Sequence, residues 1–196
     1  MRLRTSLALA VSAVVASACG VTGSGEIVTE ERVVSDVTRI EVSGGIALRL
    51  TAEPGSATEV SVHYDDNVID RIRTEVDGDT LRIHSEGMYN TLGGGDRYVE
   101  VTVGDLLGIE ASGGSDVLGQ GQANTVEIEA SGGTDIDLTA LPVVEMTLQA
   151  SGGANVAVNV TEAITGEASG GADVSVEGGP AQQSIETSGG AEVSYG

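Results

Sequence analysis

Two columns of acidic residues are the first feature of this chain that could do chemistry. Numbered from a serine that recurs at Ser112, Ser131, Ser151, Ser169 and Ser188, one column holds Glu110, Glu129, Gln149, Glu167 and Glu186. The other holds Asp116, Asp135, Asn155, Asp173 and Glu192. Carboxylates at a regular spacing suit hard cations, which take oxygen ligands, so Asp116, Asp135, Asp173 and Glu192 form a candidate calcium ladder. The plain reading is a solvated acidic face that keeps the protein soluble. A third reading is a docking face for a basic partner. Neighbouring carboxylates 4.8 Å apart repel by about 0.9 kcal/mol in bulk water, which an exposed face tolerates.

Other reactive residues are sparse. His63 and His84, with Asp65, Asp66 and Glu86 nearby in sequence, would form a metal site only if their strands met, and their spacing carries no ligand signature. No Gly-x-Ser-x-Gly elbow occurs, and the sole cysteine, Cys19, lies near the N-terminus. The repeated serines read as corner residues that bond local backbone. Paired carboxylates of the kind used by pectin-cleaving β-helices are present, but aromatic sugar platforms and a basic site are missing from the repeats. No catalytic residue and no cofactor are therefore expected.

The elements that position these residues follow from the repeat. Ser-Gly-Gly returns every 18 to 20 residues, a period typical of stacked repeat architectures. Five residues after each serine stand Val117, Ile136, Val156, Val174 and Val193, and three before it stand Ile109, Ile128, Leu148, Gly166 and Ile185. Each copy is two runs of alternating apolar and polar residues joined at Ser-Gly-Gly, the period of half-buried strands. Gly-Gly marks a corner where dihedrals turn positive and stacked backbones approach. One copy cannot bury its apolar side alone, so the expected fold is all-β, a right-handed parallel β-helix (β-solenoid) whose copies hydrogen-bond about 4.8 Å apart. Within it, Val156→Asp should unfold the chain.

The N-terminal part is less regular. Residues 39–50 match the repeat frame around Ser43-Gly44-Gly45. Residues 59–64, 72–76, 80–84 and 98–103 alternate as strands, and Asp77-Gly78-Asp79 signals a hairpin. Residues 86–96, with Gly93-Gly94-Gly95, read as a loop. At the other end the fifth copy reaches Gly196, so the last strand edge is expected to be bare and open to end-to-end self-association through the C-terminal rung.

Arg2 and Arg4, the apolar run over residues 7–15 and the small residues Ala16-Ser17-Ala18 form an export signal. Small residues directly before the only cysteine resemble a bacterial lipobox, with lipidated Cys19 as the first mature residue. Ala16-Ser17-Ala18 also fits ordinary secretory cleavage. The expected organisation is a signal peptide over 1–18, a lipid-anchored tether over 19–26 and one β domain over 27–196. Residues 19–196 hold 30 acids against seven arginines, a formal charge of −23, which excludes nucleic acid as a partner.

These features together, namely the leader, Ile40-Glu41-Val42-Ser43-Gly44-Gly45-Ile46-Ala47-Leu48-Arg49-Leu50, Val76-Asp77-Gly78-Asp79-Thr80-Leu81-Arg82-Ile83 and the serial Ser-Gly-Gly-x-Asp-Val copies, resemble the bacterial putative auto-transporter adhesin, head GIN domain family over residues 27–196. The resemblance implies a right-handed β-helix on a secreted or lipid-anchored protein, and brings no catalytic or ligand residues. The expected function is a non-enzymatic cell-envelope lipoprotein with an adhesive or structural role. It would be membrane-bound through Cys19, with a protein or glycan as surface partner. The alternatives are a calcium-dependent surface module and a carbohydrate-active enzyme.

Overall fold

The computed structural model describes residues 20–90 and 96–196. In chain order the strands are β1 (Val21–Thr22), β2 (Ile27–Arg32), β3 (Arg39–Val42), β4 (Ala47–Ala52), β5 (Glu59–Asp65), β6 (Ile72–Asp77), β7 (Thr80–Ser85), β8 (Tyr89–Asn90) and β9 (Tyr98–Val103). The repeats then contribute β10 (Gly108–Ala111), β11 (Asp116–Gly121), β12 (Ala123–Ala130), β13 (Asp135–Ala150), β14 (Asn155–Ala168), β15 (Asp173–Glu177), β16 (Gln182–Thr187) and β17 (Glu192–Tyr195).

Equivalent positions of successive repeats pair in parallel. Ile40, Ile109, Ile128, Leu148, Gly166 and Ile185 are consecutive register partners in one row. Leu48, Val117, Ile136, Val156, Val174 and Val193 are consecutive in a second. Side chains on these columns fill the interior, with Val117, Ile136 and Val156 each 2% exposed, while Val193 is half-buried. At the corner the first glycine of each Ser-Gly-Gly has a positive φ, from 67° at Gly113 to 80° at Gly132. The corners stack backbone on backbone, with Gly153, Gly171 and Gly190 amides donating to Gly132, Gly152 and Gly170 carbonyls at 2.6–2.7 Å. A Cβ on Gly152 would lie 2.9 Å from the Gly132 oxygen, so this line admits no side chain.

The right-handed parallel β-helix expected from the repeat is corrected by this arrangement. All strands except β1 and β8 belong to one 15-stranded sheet of mixed orientation, which curls into a nearly closed, barrel-like form. Two causes are visible. First, β13 and β14, 16 and 14 residues long, run unbroken from one Ser-Gly-Gly corner to the next, so the two rows share one continuous sheet. β13 pairs β11 with residues 135–140 and β12 with residues 143–150. Second, antiparallel strands extend both rows at the N-terminal end. The Asp77-Gly78-Asp79 turn folds β6 antiparallel onto β7, and β5 lies antiparallel between β9 and β2.

The interior column one residue before the acidic column reads Ser115, Thr134, Ala154, Ala172 and Ala191. Ser115 Oγ donates to the Ser112 carbonyl at 2.9 Å, whereas the buried Thr134 Oγ1 finds no partner among the described residues. An unpaired buried hydroxyl retains its desolvation cost. Thr134→Val keeps the shape and removes that cost, so it should stabilise the protein by about 1 kcal/mol. A melting temperature unchanged or lowered in differential scanning calorimetry would show the hydroxyl is satisfied.

Candidate functional site

The two acidic columns stand on the outer face of adjacent strands, in register. Asp116, Asp135, Asn155, Asp173 and Glu192 are successive partners, all exposed. Asn155 Nδ2 donates to Asp135 Oδ1 at 2.6 Å, so the amide of the middle repeat joins the line of charge. A shallow groove of about 860 Å³ runs along this row, from Arg49 to Ser194. Among the described residues no group of three or more His, Cys, Asp or Glu side chains converges as a metal-binding set. Cys19 lies outside the described residues.

The second column starts one strand earlier, with Glu41 beside Glu110. Burial, then Glu41 and Glu129 on either side, raise the Glu110 carboxyl above its ordinary value, while Arg82 opposes them. Such a group holds its proton more readily folded than unfolded, so its ionisation opposes folding as pH rises, and the penalty disappears on acidification. Glu110→Gln should therefore raise stability at pH 7 by less than about 1 kcal/mol, the scale of exposed pairs. Near pH 3 it should change nothing, and equal effects at both pH values would refute the electrostatic cause.

His63 and His84 do not meet, since they sit on β5 and β7, which do not pair. His63 instead opens a cluster that the repeat gives no hint of. Its ring stacks on Tyr98 at 4.3 Å between centroids, and the Arg49 guanidinium covers the other face of Tyr98 at 3.6 Å. Thr29 Oγ1 and Ser61 Oγ lie 2.9 and 2.7 Å from the two ring nitrogens of His63. Tyr64 meets Tyr89 edge to face at 6.1 Å, and burial, followed by Tyr89, pushes the Tyr64 hydroxyl well above the ordinary range. Three of the chain's four tyrosines thus line one cleft of about 770 Å³, with Arg49, Ser85, Met88, Asn90 and Arg97. Under it, Arg97 forms a two-pronged pair with the fully buried Asp65 carboxylate, through Nε to Oδ2 and through Nη2 to Oδ1 at 3.0 Å.

Asp65 also organises the segment before β2. The Gly25 amide donates to Asp65 Oδ1 at 2.6 Å, and a side chain on Gly23 would collide with the same carboxylate. The Ser24 amide donates to Asn67 Oδ1, and Asn67 Nδ2 to the Thr22 carbonyl, both at 2.9 Å. β1 completes the strap by pairing with β8. Residues 20–25, within the tether expected over 19–26, are bound to the body. The one sequence signal for this region is that every arginine and histidine precedes Tyr98.

The fold and its surfaces define an all-β module with outward-facing acidic columns and one tyrosine-lined cleft. The chain belongs to the family described as putative auto-transporter adhesin, head GIN domain, whose model matches residues 36–118 and 90–180. A search of curated proteins returned no match. Among solved structures it is similar to a putative adhesin from Bacteroides fragilis, with 17% identity and a TM-score of 0.60 over 90% of this chain and 100% of that one. A putative adhesin from Parabacteroides merdae aligns over 90% and 99% of the two chains, with 14% identity and a TM-score of 0.48. At 17% identity the likeness to the Bacteroides fragilis structure speaks to fold.

Proposed function

We propose that this protein is a non-enzymatic module of the cell envelope, exported and anchored by lipid on Cys19, that presents its acidic columns as an adhesive or structural surface. The observation that carries the reading is the in-register line from Asp116 to Glu192 on a continuous, well-packed sheet. A rigid face of one charge sign holds its groups in place before a partner arrives, which lowers the entropic cost of binding. Family membership supports a surface role, and no helix of the described residues is long and apolar enough to cross a membrane. Mass spectrometry of the mature N-terminus tests the anchor: a lipid mass on Cys19 is expected, and an unmodified or absent cysteine would overturn it. Attachment of cells carrying or lacking the protein to protein- and glycan-coated surfaces tests the adhesive role, which equal attachment would remove.

A second reading rests on the same spacing alone, since no three of these side chains converge among the described residues. Asp116, Asp135, Asp173 and Glu192 would hold calcium weakly from neighbouring strands. Calorimetric titration with calcium that gives neither heat nor a shift in melting temperature removes it.

A further inference from the structure

We propose that the N-terminal end of the stack, around the strap and the tyrosine-lined cleft, is a membrane-seating face that rests on lipid headgroups and holds the acidic repeats away from the bilayer. This rests on the lipid anchor proposed above. The argument begins with reach. Cys19 is the residue directly before Gly20. Gly20 is packed near the Met88 carbonyl and the Asn90 side chain, and the Val21 amide donates to the Met88 carbonyl at 3.2 Å. A lipid on Cys19 therefore has almost no free chain between bilayer and body.

Position in the stack comes next. β1 lies beyond β8, which sits in the connection between β7 and β9, and β7 and β9 head the two rows of parallel strands. Six pairing steps of about 4.8 Å, counted along the sheet, separate β9 from β17. Charge follows the same axis. All nine arginines lie at or before Arg97, whereas residues 98–196 carry fifteen acids and no Arg, Lys or His. Residues 19–97 carry as many acids, fifteen, but also seven arginines, with Arg49, Arg73 and Arg97 paired to Asp96, Glu86 and Asp65, so this end is less negative than the distal layers and anionic headgroups repel it less. Met88, 70% exposed beside β1, gives that end an apolar contact at the depth of the headgroups.

The test uses the full precursor processed in a bacterial host and reconstituted in phosphatidylcholine vesicles containing phosphatidylglycerol. An environment-sensitive fluorophore is attached to Met88→Cys or, separately, to Glu192→Cys. At position 88 the emission should shift to the blue and be quenched by headgroup-labelled nitroxide lipid. At position 192 it should match the protein in water. A twelve-residue Gly-Ser insertion between Cys19 and Gly20, reaching roughly 20 Å, should abolish the shift at 88 while leaving the body folded. A lipid mass on Cys19 with position 88 still in water would overturn the seating alone. An unlipidated Cys19 would remove the anchor reading, and the seating with it.

Discussion

Replacing Asp65 with alanine should destabilise the protein by about 3–5 kcal/mol, because it removes a fully buried carboxylate that the Arg97 guanidinium grips at two points. The same change removes the acceptor of the Gly25 amide, so the strap over residues 20–26 should loosen as global stability falls. Hydrogen exchange would read the two separately: amides of β1 and β8 should lose protection first. The Arg97 bonds are the main force holding the Asp65 carboxyl below its ordinary range, against the opposing effect of burial, with the Gly25 amide assisting. A group with a depressed folded pKa stabilises the protein above the unfolded carboxylate value and loses that contribution as pH falls through the folded one. The penalty of Asp65→Ala should accordingly be full at pH 7 and shrink below about pH 3.9. An Asp65→Ala protein that melts like the parent at pH 7 would mean the pair contributes nothing net.

Val156→Asp should be worse still, exceeding about 4–5 kcal/mol, because a carboxylate would enter an aliphatic column with no cation within it. Val156 is 2% exposed and lies between Ile136 and Val174 on neighbouring strands, so both adjoining layers lose their packing partner. Loss of the cooperative thermal transition, or insoluble expression, is the expected outcome. A soluble variant with near-parent melting temperature would contradict the assignment of this column to the interior.

These two residues divide what the sequence could reveal. Val156 was legible because it recurs: five apolar residues at one offset from Ser-Gly-Gly specify a column before any coordinates exist, and the acidic columns are legible for the same reason. The hairpin at Asp77-Gly78-Asp79 was legible from its turn residues. Asp65 and Arg97 are 32 residues apart, belong to no repeat and pair across connections, so nothing local marks them. Residues 20–25 look like a linker because they are small and polar, yet those properties let Gly23 and Gly25 approach the buried carboxylate. The overall architecture departs from the expected β-helix for a related reason. A repeat reports which residues stack, but not that β13 and β14 carry one sheet through the bend, nor that β2, β5 and β6 run against their neighbours. Leu107 shows the same limit in one residue: it stands five before Ser112, where later copies carry Val126, Met146 and Ile164, but it is 46% exposed, while Leu106 beside it is buried.

The glycine corners set how such a chain changes its height. Along that line the last three corners join their neighbours through main-chain bonds, Gly153 to Gly132, Gly171 to Gly152 and Gly190 to Gly170, with no side chain taking part. Duplicating or deleting one copy in the middle of the series would leave matching surfaces above and below the cut. A lineage could therefore lengthen or shorten the acidic row by a strand spacing at a time without redesigning either end.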